Sequence, residues 1–301
     1  MQKQIELNQR TKEIVQGFAR YLTEDGKRTK TVESYGGDTT GFLAYLAQMG
    51  TEFTGDLKRF HITSYRNNLV ENGYEASTVN KKINSLQSFN RWLVDKGLTS
   101  ETVIDLRKDR VKVASGSEKQ VEVYTEQQLE RLLFFVQGEK VSARDRAVVL
   151  TLLYTGVRVS ELCDVSVKNI DFLTSHLKVV GKGGKVREVP LKPEVMEAIK
   201  DYLSVRVKNS HSDSEQLFLG QRGPLQRDAV NTLLERLTVR AGLNVRLKPH
   251  TFRHTFCTRL VGKGVPLTTV SKLAGHAGIE TTARFYINSS RDDKIRAVGM
   301  L

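Results

Sequence analysis

Apolar residues in the first third of the chain recur at spacings of three and four. Ile14, Phe18 and Leu22 fall at i, i+4 and i+8 and form one stripe of a helix. Val32, Tyr35, Phe42 and Leu46 continue the pattern, although Gly36-Gly37 weakens that helix. Ile62, Tyr65 and Leu69 predict a third helix. Val79, Ile83, Leu86, Phe89 and Leu93 predict the strongest one, with Ser77 as its N-cap and Gly97 closing it. Lys81, Lys82 and Arg91 lie on its outer face. Taken alone, such cations read as a solvated face.

Beyond a polar stretch at Asp109 to Tyr124 (DRVKVASGSEKQVEVY) the pattern becomes mixed. Helical periodicity covers about Thr125–Phe135, Ala143–Thr155, Pro193–Val207 and Arg227–Ala241. His176–Val180 and Val186–Leu191 are β-branched runs separated by Gly-Lys-Gly-Gly-Lys, which predicts a hairpin. Leu217–Leu219 is a candidate edge strand. The expected fold is mainly α with a small antiparallel β-sheet, in two domains, residues 1–108 and 125–301, joined by a linker at 109–124.

Charge changes this picture. The 301 residues carry 47 Lys+Arg against 34 Asp+Glu, a formal net charge of +13, which points to a polyanionic partner. Residues 1–115 contribute 18 basic and 14 acidic side chains and the remainder 29 and 20, so both halves are basic. The first ten residues show no signal-peptide pattern, and the longest uncharged apolar-rich stretch, Ala147 to Val157, is far short of the roughly 20 residues that span a bilayer. Two cysteines, Cys163 and Cys257, build neither a disulfide framework nor a zinc site. The expectation is a protein of the reducing cytoplasm with no membrane anchor, its polyanionic partner being nucleic acid or an anionic membrane surface.

Four clusters could carry chemistry. In Thr155-Gly156-Val157-Arg158-Val159-Ser160-Glu161, Glu161 lies three residues after Arg158 and can orient it by ion pairing; a plain surface salt bridge has the same spacing. The turn Gly181-Lys182-Gly183-Gly184-Lys185 allows close backbone approach and offers mobile positive charge, but lacks the P-loop spacing. In Lys248-Pro249-His250-Thr251-Phe252-Arg253-His254, a helix entrance puts His250 and Arg253 on one face, suited to an oxyanion and a proton. His254 points elsewhere on that helix and reads as structural. In Leu273 to Tyr286, Gly275 and Gly278 place His276 on a tight turn, and Tyr286 falls on a following helix begun by Thr281/Thr282.

In order and interval, these clusters together resemble the tyrosine recombinases, the phage-integrase and Xer superfamily. The resemblance covers nearly the whole chain and implies an N-terminal helical core-type DNA-binding domain and a C-terminal catalytic domain, closing as a clamp on DNA. The family's catalytic set matches Arg158, Lys182, His250, Arg253, His276 and Tyr286, with Glu161 in the supporting acidic position. No further arm-binding domain is expected before the first helix. Lys182, ahead of the turn glycine, is taken in preference to Lys185.

The resemblance implies a transesterification without metal or cofactor. Arg158 and Arg253 stabilise the transition state, Tyr286 attacks the phosphorus to give a 3′-phosphotyrosine, His250 is the base, Lys182 the general acid, and His276 a hydrogen-bond donor. It also implies a homotetramer on two inverted-repeat core sites, acting through a Holliday junction, with accessory proteins or a second recombinase as further partners. Lys81, Lys82 and Arg91 become candidate DNA contacts. The tail, including Ile295 to Leu301, is expected to dock on a neighbouring protomer. Three other readings compete: a DNA-binding module without catalysis, a type IB topoisomerase, and a basic scaffold in which every motif is structural. The first requires a missing catalytic member, and the set is complete.

Overall fold

The structure, a computed structural model, describes residues 7–112, 121–283 and 299, apart from the Lys182 side chain. Two compact units divide the chain, Met1–Glu118 and Lys119–Leu301.

The first unit is helical among its described residues: α1 (Gln9–Glu24), α2 (Thr29–Gln48), α3 (Arg59–Glu71), α4 (Ala76–Asp95) and the short α5 (Leu106–Asp109). Asn8 caps α1, its side-chain oxygen accepting from the Thr11 amide at 2.8 Å. The apolar stripes converge on a core in which Phe18, Phe42, Ile62, Ile83, Leu86, Phe89 and Leu93 are fully buried. Each such side chain contributes about 1.5–3 kcal/mol. The Phe18 and Phe89 rings meet edge-on with centroids 5.2 Å apart.

Three details differ from expectation. α2 runs unbroken through Gly36-Gly37 because Phe42, Leu43 and Leu46, all buried, anchor its second half, and tertiary packing outweighs the weak glycine propensity. α4 begins one residue before Ser77: the reversal at Gly73 (φ 74°) brings Glu75 to the cap position, where its carbonyl accepts from Val79 at 3.0 Å. Gly97 does end it, with the Leu98 amide bonded back to Leu93 at 2.9 Å. The cationic face is also partly neutralised. Asp38, 5 % exposed, accepts from Ser85 Oγ at 2.8 Å and pairs with Lys81 at 3.0 Å and Lys82 at 3.4 Å. Arg91 is exposed.

Both ends of the expected 109–124 linker are anchored within their own units. Asp109 is fully buried and pairs with Arg59, and Val111 exchanges hydrogen bonds with the Asn80 amide. Tyr124 packs edge-on against Phe252, centroids 5.1 Å apart. Residues 113–120, between these anchors, lie outside the described residues.

The second unit runs α6 (Glu126–Gln137), α7 (Ala143–Thr155), α8 (Val159–Asp164), β1 (Ile170–Asp171), β2 (His176–Val180), β3 (Val186–Pro190), α9 (Pro193–Arg206), β4 (Leu219–Gly220), β5 (Gly223–Pro224), α10 (Arg227–Arg240), α11 (Pro249–Gly262), α12 (Leu267–Ala274) and α13 (Ile279–Ala283). After its charged first turn α7 is buried on every side, each residue from Ala147 to Leu153 being buried, so it forms the centre against which α9 and α11 pack. The antiparallel sheet has the order β1-β2-β3, with Leu177 opposite Val189 and Val179 opposite Arg187. Leu177, Val179 and Val189 are buried; Arg187 therefore occupies an inward-facing position. The edge strand starts only at Leu219, because Leu217 instead donates to the Val165 carbonyl at 2.7 Å. No helix among the described residues is long and apolar enough to cross a membrane.

Candidate active site

The site begins where the central helix stops. Gly156 takes a left-handed conformation (φ 60°) as the C-cap of α7, and a Cβ there would sit 2.3 Å from Phe256 Cδ1. Gly156→Ala should therefore destabilise the protein by about 2–4 kcal/mol, the sum of a left-handed residue and a forced core contact, read as a lower melting temperature. The turn delivers Arg158 as the N-cap of α8 and not, as the spacing suggested, on a helical face. Its backbone amide donates to Glu161 Oε2 at 2.8 Å while its guanidinium reaches Oε1 at 2.8 Å.

Glu161 is 5 % exposed. Burial alone would raise its pKa, but hydrogen bonds from Arg187 and from the Arg158 amide hold it below the usual carboxylate range. Arg187 is the member that sequence reasoning missed. It grips both Glu161 oxygens, at 3.0 and 2.7 Å. The available signal was its parity: it shares a strand face with Val189, where an apolar residue is expected.

α11 brings His250 and Arg253. Its start is fixed by Tyr124, whose hydroxyl accepts from the Lys248 amide at 2.7 Å and whose own amide donates to Thr255 Oγ1 at 3.0 Å. Arg253 is 3 % exposed and donates to the Gly156 carbonyl at 2.7 Å. Burial and the neighbouring Arg158 lower its pKa to about 10. Its Nη2 is buried without any hydrogen-bond partner. Such an orphaned, charged donor costs several kcal/mol unless an anion completes it. The His250 pKa is lowered by burial and then by Arg253 and Arg158, so its imidazole is neutral near pH 7. His254, read as structural, stands in the cluster too, its ring 4.0 Å from that of His250.

The last described member comes from the turn after α12. Gly275 is again left-handed (φ 66°), and its carbonyl accepts from Arg158 Nη2 at 2.7 Å. His276 follows, its Nδ1 2.7 Å from Thr282 Oγ1. The break is where the glycines place it, but α13 starts at Ile279, two residues before Thr281. Burial, then Arg253 and Arg158, push the His276 pKa down to about 4; burial and then His250 do the same for His254.

Both imidazoles are neutral in the folded protein and gain protons near pH 6.5 when unfolded. Their contribution to stability is complete above pH 6.5 and is lost as pH falls toward 4. Glu161 adds a loss of its own only at the acid end of that window, because its contribution begins to fall away near its ordinary pKa of 4.5. Melting temperature should fall between pH 6.5 and 4, less so in His276→Gln.

The structure thus bonds Arg158 to Glu161 and to the Gly275 carbonyl that precedes His276, holds Arg253 on the Gly156 carbonyl, and places His250 within the field of both arginines. Lys182 lies in the tight turn Lys182–Gly184 between β2 and β3, closed by the Gly181 amide on the Lys185 carbonyl at 2.7 Å. Its side chain, Tyr286 and the tail from Ile295, save Gly299, lie outside the described residues.

Known proteins show the same organisation. The phage integrase family profile matches residues 122–292, and that of the phage integrase N-terminal SAM-like domain matches residues 15–97. The tyrosine recombinase XerD of Oceanobacillus iheyensis is 31 % identical over 89 % of this chain and 91 % of its own. The TnP I resolvase of Bacillus thuringiensis is 33 % identical over 90 % and 93 %. Among solved structures, XerH site-specific recombinase bound to palindromic difH substrate superposes with a TM-score of 0.80 at 17 % identity, covering 99 % of both chains. The Tn1549 transposon integrase in complex with transposon right end DNA gives 0.73 at 22 %, covering 95 % of this chain and 98 % of that one. With both domains matched and the arginine-rich centre in place, the chain belongs to the phage integrase family and is a tyrosine-type site-specific recombinase.

Proposed function

We propose that this centre cuts and rejoins double-stranded DNA through a covalent 3′-phosphotyrosine on Tyr286. The observation that carries the reading is the buried, unpartnered Nη2 of Arg253 beside Arg158. Two guanidiniums share one space, and the nearest carboxylate, Glu161, is already held by Arg187 and Arg158. A scissile phosphate supplies the missing acceptors. The negative charge that develops on its non-bridging oxygens in the transition state would then meet donors that need no rearrangement.

The Tyr286 oxygen forms a bond to phosphorus as the bond from phosphorus to the 5′-oxygen breaks. The phenolic proton passes to His250, whose neutral imidazole can accept it. Lys182 gives a proton to the departing 5′-oxygen. The Thr282 hydroxyl, 2.7 Å from Nδ1, can donate to it, and in that tautomer His276 offers its Nε2 hydrogen to a phosphate oxygen. A 5′-hydroxyl from a partner duplex then displaces the tyrosine, and a Holliday junction results. The domains expected at 1–108 and 125–301 grip the duplex, with the strap narrowed to the part of 109–124 between the anchored Val111 and Tyr124. Lys81, Lys82 and Arg91 contact phosphates, the two lysines with less free charge than their number suggests. A tetramer on two inverted-repeat core sites, at the nucleoid, completes the reaction.

The test is a plasmid with one or two copies of a site recovered by covalent trapping. Recombinant circles that require both copies support the proposal. Relaxation of supercoils on a one-site plasmid without recombinants would favour a topoisomerase.

A further inference from the structure

A recombinase centre of this kind must hold parts from distant segments in register, and one side chain on β3 bonds to two others. Arg187, on β3 and only 12 % exposed at its side chain, makes a bidentate pair with Glu161 and donates from Nε to the Leu273 carbonyl at 2.8 Å. It also fills the space beneath Gly275: a Cβ there would lie 2.8 Å from its Nη1. It stands two residues after the turn that carries Lys182, and a Cβ on Gly181 would be 3.8 Å from its Nη1 and 3.5 Å from Glu161 Oε1. Through Glu161 it reaches Arg158, and through the end of α12 it reaches the turn that presents His276.

We propose that Arg187 is a positioning residue for the phosphate clamp, fixing Arg158 through Glu161 and fixing the Gly275-His276 turn from below. The reasons are chemical. A largely buried guanidinium in a sheet position otherwise filled by Val or Leu is costly unless its donors are matched, and here they meet both carboxylate oxygens and a helix-end carbonyl. Without Arg187, Glu161 keeps one partner and pivots, and Arg158 pivots with it. The α12 end also loses the surface on which Gly275 rests. A lysine cannot substitute, since a point charge has no fork to hold two oxygens and a carbonyl at once. Arg187 does not touch the reacting atoms in this scheme.

This inference rests on the phosphotyrosine reading, and the experiment separates the two. Single-turnover adduct formation is measured for the full-length wild type, Arg158→Ala and Arg187→Lys. The substrates are nicked duplexes with either a normal scissile phosphate or a neutral methylphosphonate at that position. Displacing a charge-stabilising group by about 1 Å costs on the order of 10²-fold, so Arg187→Lys should lose about that much on the normal phosphate while binding DNA as the wild type does. On the methylphosphonate, which carries no charge for the clamp to stabilise, the loss should shrink in Arg187→Lys as it does in Arg158→Ala. An equal loss on both substrates, or none, overturns the proposal. Should Arg187→Lys fail to fold, Glu161→Gln removes the same link at nearly constant shape, and the same substrate pattern is required of it. No adduct from the wild type on either substrate overturns the phosphotyrosine reading and this one with it; wild-type adduct with normal cleavage by Arg187→Lys overturns this one alone.

Discussion

Tyr286→Phe should form no covalent adduct on any nicked duplex, while its affinity for DNA and its melting temperature match the wild type. The substitution removes one oxygen and leaves the ring, so packing and charge are unchanged. The two cysteines are buried, with thiol pKa values raised to about 11 by burial, and neither is a competing nucleophile. The measurement is a denaturing gel of labelled DNA. Residual adduct in the variant would mean that another side chain attacks.

Arg253→Ala carries the second largest effect. Its guanidinium bonds the Gly156 carbonyl with one nitrogen and presents the other, unpartnered, to the site. Removing a preorganised donor from a developing oxyanion costs about 10²–10³-fold in rate. Arg253→Ala should lose at least that much cleavage, with a smaller loss of binding, because DNA is held by many phosphate contacts in parallel. It should also melt at a temperature no lower than the wild type in the absence of DNA. A buried cation lowered to about pKa 10 with one orphaned N–H is an expense to the free fold that the ligand offsets. A large drop in melting temperature with unchanged cleavage would identify Arg253 as structural.

Much of this site was legible because glycine and charge positions are local signals. Gly156, before Val157 and Arg158, and Gly275, before His276, mark two left-handed helix ends, and each turn carries the next functional side chain. The β2–β3 hairpin was equally readable from its β-branched runs and glycine turn. What stayed hidden depends on long-range contacts. Arg187 lies 26 residues from Glu161 and 86 from Leu273, and only the folded sheet and helices bring them together. Asp38 and the lysines it tempers are 43 and 44 residues apart, so the outer face of α4 looked more strongly cationic in sequence than in structure. His254 was assigned away from the site on helical phase alone. A position next to Arg253 points about 100° away from it, yet His254 also lies four residues after His250 on the same helix, one turn on, so the two rings share a face and meet.

The same contrast explains Arg158. Spacing of three residues suggested a pair on one helical face, but Gly156 ends α7 so abruptly that Arg158 becomes the cap of the next helix. The capping bond from its amide to Glu161 then fixes the backbone as firmly as the ion pair fixes the side chain.

The central claim is that the arginine-rich centre makes a 3′-phosphotyrosine on Tyr286. Its most direct test is protease digestion of the trapped protein–DNA adduct, followed by mass spectrometry of the peptide that carries the nucleotide. The account predicts a single modified peptide, with Tyr286 joined to the 3′-phosphate of the cut strand and a free 5′-hydroxyl on the released fragment. A nucleotide on any other residue, or a 5′-phosphate linkage, would contradict it.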